Sequence, residues 1–300
     1  GLHGVFADSL PDGWGMLLTD RLLRQYRVPL SSVSVLDRLS LIGENGMGAL
    51  TYRPAWAVEE RSRGEKYDFH RIAGDMAAIL NETYEGDIEK YFEQGGSSGG
   101  ARPKVLINLE GEAWLIKFRS SSDPENIGEI EFAYSLAAKA CGIEMTETRL
   151  FEGKYFGTRR FDRDGAMRYH VLSAAGLLHA SHRYPSLDYT DLIKAVVAVT
   201  KDMEEAYKIY RLMVFNVLNG NKDDHAKNFS FIYRDGAWKL APAYDLVRSN
   251  GFNGQHTTTV AGSGMPGTEE FLEVAKQTGL AQKRVREIID EVREGSRAIG

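Results

Sequence analysis

Three hundred residues, 43% of them apolar and 26% charged, suffice for a large core in one domain or two lobes. The net charge of −5 excludes a dominant nucleic-acid surface, which needs a basic field to neutralise phosphates. The single cysteine, Cys141, excludes an intramolecular disulfide and a cysteine-built zinc cage, and it fits the reducing cytoplasm. No run of about 18 apolar residues marks a membrane span, and no basic-then-apolar leader opens the chain. The opening Gly1-Leu2-His3-Gly4 reads as the interior of a longer polypeptide, or as a trimmed chain.

Apolar residues at helical spacing predict a helix over Trp14–Tyr26, after a Pro11-Asp12-Gly13 turn. A short helix follows at Val33–Ile42, then a loop at Gly43–Gly48, a short strand at Ala49–Arg53 and a helix at Phe69–Leu80. The run Gly95-Gly96-Ser97-Ser98-Gly99-Gly100 is too glycine-rich for a regular element. Lys104–Leu109 and Ala113–Phe118 flank Glu110-Gly111-Glu112 as a hairpin. Gly128–Cys141 reads as a helix ended by Gly142, and Thr148–Phe151 with Lys154–Phe161 as a second hairpin. The second half is mostly helical: Tyr189–Thr200, Glu204–Leu218, Glu269–Thr278 and Gln282–Glu294. A hairpin at Phe229–Tyr233 and Trp238–Leu240 interrupts it, and 250–267 reads as loop. The expected fold is α+β and two-lobed like a protein kinase. Residues 1–163 would form a mixed antiparallel β N-lobe, and 164–300 a mostly α-helical C-lobe.

The densest chemistry lies in Asn221-Lys222-Asp223-Asp224-His225-Ala226-Lys227-Asn228. Asp223 precedes Asn228 by five residues, and Asp245 follows Asn228 by 17. Phosphoryl-transfer sites use this chemistry: one carboxylate orients the attacking hydroxyl, and an Asn with a second carboxylate holds Mg²⁺. Asp224 competes with Asp223 for the first role, and the five-residue offset favours Asp223. The plainer alternative is a solvated acidic loop. Amides of the Gly95–Gly100 run suit an anion nest, although the run matches neither GxxxxGK[ST] nor GxGxxG and has a linker's composition. Ser97 and Ser98 would place hydroxyls beside bound phosphates, where self-phosphorylation is chemically reasonable. Lys117, on an apolar strand, needs anionic partners such as nucleotide phosphates and a helix carboxylate. Glu131 is the better candidate for that carboxylate, Glu129 the second; a solvated edge lysine is the alternative. His179 and His182 have helical metal-ligand spacing but no third ligand nearby. His225 lies inside the acidic window, where it would steady the loop. Arg61, Arg63 and Lys66 could touch phosphates, a solvated loop being the simpler reading.

In order along the chain, these segments resemble the HipA family of bacterial serine/threonine kinase toxins. Asp223-Asp224-His225-Ala226-Lys227-Asn228-Phe229-Ser230 is similar to the family's D-x-H-A-K-N-F-S loop. Ala243-Tyr244-Asp245-Leu246 resembles its Y-D-L metal motif, and Arg160-Phe161-Asp162-Arg163 its R-F-D-R hinge. Gly100-Ala101-Arg102-Pro103-Lys104 resembles its G-A-Q-x-K phosphate loop, departing at Arg102-Pro103, and Ser173–His179 resembles another shared stretch. The resemblance implies ATP and Mg²⁺. It implies Asp223 as catalytic aspartate, Asn228 and Asp245 as metal ligands, and Lys117, partnered by Glu131, as the phosphate lysine. Nucleotide contacts would also come from Ser97, Ser98, Gly99, Gly100, Ala101, Lys104, His225 and Lys227. The backbone around Arg159–Phe161 would meet adenine, Asp162 the ribose, and Ser97, with Ser98 adjacent, would be autophosphorylated. It further implies a HipB-like antitoxin partner, DNA contact only through that antitoxin, and a protein substrate such as an aminoacyl-tRNA synthetase. Of the small subdomain that usually opens family members, this chain would carry only the end. Two other readings remain open: a small-molecule phosphotransferase of the same fold, and a non-catalytic antitoxin-binding corepressor.

Overall fold

A computed structural model describes residues 2–56, 67–181, 184 and 186–299. Arg61, Arg63, Lys66 and His182 lie outside the described residues. The helices are α1 (Gly4–Ala7), α2 (Gly13–Gln25), α3 (Val35–Ile42), α4 (Phe69–Leu80), α5 (Ile88–Gly95), α6 (Ile127–Ala140), α7 (Ala174–Leu178), α8 (Tyr189–Thr200), α9 (Met203–Leu218), α10 (Thr268–Thr278) and α11 (Gln282–Gly295). The strands are β1 (Lys104–Leu109), β2 (Glu112–Lys117), β3 (Thr148–Phe151), β4 (Tyr155–Arg159), β5 (Arg163–Asp164), β6 (Met167–Arg168), β7 (His170–Ser173), β8 (Leu187–Asp188), β9 (Ser230–Arg234), β10 (Ala237–Leu240) and β11 (Thr258–Thr259). The class is α+β, and the larger sheets are antiparallel. Two compact units interleave along the sequence. A sheet unit holds Ser9–Glu129 and Glu147–Arg168; a helical unit holds Gly1–Asp8, Ile130–Thr146 and Tyr169–Gly300. Among the described residues no helix is long and apolar enough to cross a membrane.

The sheet unit is built on four strands in the order β1-β2-β4-β3. The β1–β2 turn places Glu110 at φ +54° and Gly111 at φ +87°, the left-handed pair that a tight hairpin demands. Strand alternation buries Val105, Ile107, Trp114 and Ile116 in one cluster with Trp14, Leu18 and Leu22 of α2, Ile72 and Met76 of α4, and Tyr91 and Phe92 of α5. The Trp14 indole N–H donates to the Lys104 carbonyl at 3.0 Å, so the largest buried ring leaves no polar atom unpaired. One expectation is corrected here. Residues 49–53 form no strand: one bond, from the Tyr52 N–H to the Gly43 carbonyl at 2.9 Å, does not make a ladder. Helix α5, ahead of the glycine run, is an addition to the sequence reading; Asp87 caps it by accepting from the Glu89 N–H at 3.0 Å.

In the helical unit, α8 and α11 pack on α9, and α10 packs on α8. Their shared core includes Ile193, Ile209, Met213, Phe215, Phe271 and Ile289, all 3% exposed or less. Beside it lies a three-stranded antiparallel sheet, β10-β9-β7. The hairpin β9–β10 matches the expectation; β7 is an addition, pairing Leu172 with Phe231. The chain leaves β7 into α7 at Ser173, whose hydroxyl accepts from the Gly176 N–H at 3.2 Å. Asp8 in turn accepts from the Ser173 N–H (2.7 Å) and hydroxyl (2.5 Å).

Candidate active site

The loop between α9 and β9 carries the acidic window. Asn221 to His225 are irregular and Ala226–Asn228 form a 3₁₀ turn. Asp223 points outward, its side chain 65% exposed. Asn228 donates its side-chain amide to the Asp223 carbonyl at 2.8 Å. That bond engages the amide nitrogen, so the amide oxygen is the atom with which Asn228 would meet a cation. His225 Nε2 stands 3.9 Å from Asp223 Oδ1, too far for a hydrogen bond. The neighbouring acid differs in every respect: Asp224 is 0% exposed and wholly engaged in bonds within the unit.

Asp245 lies on the segment after β10, in the left-handed region at φ +57°. A non-glycine residue held there stores strain, a condition that clusters at functional sites. Two bonds fasten this segment to the loop. The Tyr244 hydroxyl donates to the Lys227 carbonyl at 2.6 Å, and Asn221 donates to the Asp245 carbonyl at 3.1 Å. Burial pushes the Tyr244 phenol well above its usual pKa, so the hydroxyl keeps its proton for that bond. Among the described residues no cluster of three or more His, Cys, Asp or Glu is arranged for a metal. A Mg²⁺ that reaches the protein through one carboxylate and completes its shell with phosphates and water needs no such cluster. The donor chemistry of Asp245 and Asn228 fits that kind of ion.

In the sheet unit the glycine run leaves α5 and is tied on several sides. The Ser97 hydroxyl donates to the Asn45 carbonyl at 2.6 Å, and the buried Ser98 hydroxyl to the Gly95 carbonyl at 2.6 Å. Asp12 accepts from the Gly100 N–H at 2.5 Å, and the Trp14 N–H donates to the Gly100 carbonyl at 2.8 Å. Lys104 Nζ bonds the Gly99 carbonyl, bracing the turn from below. Gly99, Gly100 and Ala101 remain exposed. Arg102 is held by Asp123 through a two-pronged pair, with contacts of 2.9 and 3.1 Å. Helix α2 runs so close that a Cβ on Gly15 would sit 2.2 Å from the Ser98 carbonyl oxygen. Gly15→Ala is therefore expected to displace the run and cost about 1–3 kcal/mol, readable as a lower denaturant midpoint.

Lys117 ends β2 with Nζ 5.7 Å from the centroid of the Phe156 ring. Glu131, on α6, is buried. Arg159 pairs with Glu112 at 2.6 Å, and the Arg159 and Arg160 N–H groups donate to the Glu147 and Ala113 carbonyls at 2.9 and 2.8 Å. Phe161 follows in the turn, half-buried. Asp162, expected at a ribose, is 1% exposed. Its oxygens accept from Arg160 (2.9 and 2.7 Å), Arg163 (2.7 Å) and the Gly48 N–H (2.7 Å). Arg163 and Arg168 then reach the Gly46 and Glu44 carbonyls at 2.7 Å each. This residue therefore holds the 44–48 loop, and its carboxylate shows no open edge. His179, at φ +52°, ends α7 with its ring 5.6 Å from that of His3.

The fold is α+β and kinase-like. A model of the HipA-like C-terminal domain matches residues 96–299, and one of the HipA N-terminal domain matches residues 1–53. The chain belongs to the HipA family. It is 27% identical over 320 residues to "Putative kinase Y4dM" of Sinorhizobium fredii (strain NBRC 101917 / NGR234), spanning 97% of this chain and 76% of that protein. A "Putative kinase" of Haemophilus influenzae is also 27% identical, over 187 residues that span 53% of this chain and 54% of that one. The solved complex of Shewanella oneidensis MR-1 HipA, HipB and operator DNA matches with a TM-score of 0.75 at 19% identity. That match covers 99% of this chain and 77% of the other, and it shows the shared fold.

Proposed function

We propose that this chain is a cytoplasmic ATP-dependent protein serine/threonine kinase of a HipA-type toxin–antitoxin system. The observation that carries the reading is the 221–228 loop, which exposes Asp223, buries Asp224 and anchors Asn228 to the Asp223 carbonyl. In the reaction a serine hydroxyl oxygen forms a bond to the γ-phosphorus, the bond from that phosphorus to the β–γ bridging oxygen breaks, and ADP leaves. Asp223 orients the hydroxyl and takes its proton. A Mg²⁺ held by Asn228 and Asp245 would neutralise charge on the phosphates. Lys117 and Lys104 are assigned to nucleotide phosphates, and Glu131 to the helix carboxylate of the site. The exposed amides of Gly99 and Ala101, with Ser97, Ser98 and Gly100, are assigned to the phosphate loop, and His225 and Lys227 to nucleotide contacts. The backbone at Arg159–Phe161 is assigned to adenine. Asp162, given its partners, serves that site by holding the 44–48 loop.

The partners proposed are a HipB-like antitoxin, with DNA reached only through it, and a protein substrate such as an aminoacyl-tRNA synthetase. The Shewanella complex, which joins HipA to HipB and operator DNA, supports the first. The test is incubation with γ-labelled ATP and Mg²⁺, alone and with purified synthetases. Label on protein is expected. A folded, ATP-binding chain that labels neither itself nor any synthetase sinks the kinase reading, and label on a metabolite alone redirects it to small-molecule transfer.

Ser97 is the proposed autophosphorylation site, because the Ser98 hydroxyl is buried against the Gly95 carbonyl whereas Ser97 is only half-buried. A phosphate there adds about two negative charges and removes the hydroxyl proton now given to Asn45. Ser97→Asp is accordingly expected to weaken ATP binding at least tenfold by calorimetry. An unchanged affinity contradicts it.

A further inference from the structure

The kinase reading leaves Asp224 without a task, yet it is among the most thoroughly bonded acids of the helical unit. Its Oδ2 accepts from the Tyr189 hydroxyl at 3.0 Å and from His256 Nδ1 at 2.9 Å. Its Oδ1 accepts from the Thr257 N–H at 2.9 Å and the Thr258 N–H at 3.2 Å. Its own carbonyl accepts from the Thr258 hydroxyl at 2.5 Å. A carboxylate has about four acceptor sites, and here each oxygen is used twice. Such a group has no lone pair left for a substrate hydroxyl.

The bonds continue in one direction. The Tyr189 hydroxyl accepts from Asn216 Nδ2 at 3.0 Å, and Asn216 Oδ1 accepts from Asn221 Nδ2 at 3.0 Å. The other Asn221 proton goes to the Asp245 carbonyl at 3.1 Å. A single buried network thus runs from His256 through Asp224, Tyr189, Asn216 and Asn221 to the strained backbone of Asp245. Tyr189 opens α8 and Asn216 lies in α9, two helices packed together, so the network is mounted on rigid elements. Burial holds the Tyr189 phenol well above its usual pKa, which keeps its proton available to Asp224.

The far end is pinned a second time. Strand β11 pairs in parallel with β8, and Asp188 Oδ2 accepts from the Thr259 hydroxyl at 2.6 Å and the Gly262 N–H at 2.8 Å. The Lys222 carbonyl adds a further tie, accepting from the Thr257 N–H at 3.2 Å and hydroxyl at 3.0 Å, while Phe252 and Met265 of the same stretch stand in solvent at 74% exposure each.

We propose that Asp224 is a positioning residue. Its buried carboxylate locks the 256–258 segment and the Asp245 backbone to the catalytic loop, and by facing inward it leaves Asp223 as the acid turned to the substrate. This rests on the kinase reading for its consequence in rate, but not for the tie itself. The test uses the full chain and two variants, Asp224→Asn and Tyr189→Phe. Amide hydrogen exchange reports the tie, and self-labelling from γ-labelled ATP reports its consequence. Asp224→Asn turns one acceptor oxygen into a donor and is expected to speed exchange at Thr258 at least tenfold, and less at Thr257, whose N–H also donates to the Lys222 carbonyl at 3.2 Å, while α9 and α11 keep their protection. Labelling at saturating ATP is expected to slow at least tenfold, with the half-saturating ATP concentration within twofold of wild type. Tyr189→Phe severs the link to Asn216 and spares the other three bonds to the carboxylate. It is expected to shift both readouts the same way but less, and it carries the test alone if Asp224→Asn does not fold. Unchanged exchange at Thr258 overturns the tie. A poorer half-saturation with an unchanged maximal rate overturns the positioning role. Should wild type transfer no phosphate at all, the kinase reading falls, and the exchange measurement still decides whether Asp224 locks the segment.

Discussion

Asp223→Ala is expected to lower phosphoryl transfer from labelled ATP by about 10²-fold or more, the usual worth of a positioned acid–base group. Its folded stability is expected to stay within about 0.5 kcal/mol of wild type, as for other exposed positions. Both halves follow from geometry. The Asp223 side chain is 65% exposed, and its backbone carbonyl, which accepts from Asn228, survives the substitution along with the other bonds that hold the loop. Asp224→Ala makes the opposite case: it would abandon four donors in the interior and destabilise the unit before any rate is measured. A rate assay on Asp223→Ala beside a denaturant titration separates chemistry from folding. Wild-type labelling by that variant would remove Asp223 from the mechanism.

The largest expected loss of stability comes from Asp162→Ala, about 3–5 kcal/mol by denaturant midpoint, because it strands buried positive charge. The Arg160 and Arg163 side chains that pair with it are only 11% and 14% exposed. Burial alone would raise the Asp162 pKa, but the charge and hydrogen bonds of Arg160, then Arg163 and the Gly48 N–H, outweigh it and hold the carboxyl below its usual value. A carboxyl depressed in the folded state contributes stability that is fully present above the unfolded pKa of about 3.9. It is lost as pH falls through the lower folded value. Wild type is therefore expected to shed this contribution below about pH 4, and Asp162→Ala to show a flatter acid limb. Equal midpoints for the two proteins at pH 7 would contradict the clamp.

The hairpins at 104–117 and 148–159 are legible in the sequence because a glycine turn between two short apolar runs acts locally. So is α4, whose bounds match the periodic run from Phe69 to Leu80. Strand β7 is not: four residues, His170–Ser173, become a strand only because β9 passes beside them some sixty residues later. Helix α5 carries a readable signal, Ile88, Tyr91 and Phe92 at helical spacing behind Asp87, which the adjoining glycines obscure. Asp223 and Asp224 are nearly interchangeable on paper. What separates them is a set of donors at Tyr189, His256, Thr257 and Thr258, which no local pattern ties to either acid. Asp162 misleads for the same reason. Its hinge-like neighbourhood suggests a sugar contact, while one of the partners that close its carboxylate, the Gly48 N–H, lies 114 residues upstream.

The clasp between Asp8 and Ser173 sets an order of assembly during synthesis. The two residues are 165 positions apart, which at ribosomal rates of about 5–20 residues per second is a wait of roughly ten to thirty seconds. Residue 168 completes the sheet unit, so a nascent chain can close that core while residues 1–8 still lack a partner. The helical unit needs residues beyond 168, among them the stretch that bears Asp223. A nascent chain that has exposed residue 168 can therefore hold a folded glycine-loop half before Asp223 is in place.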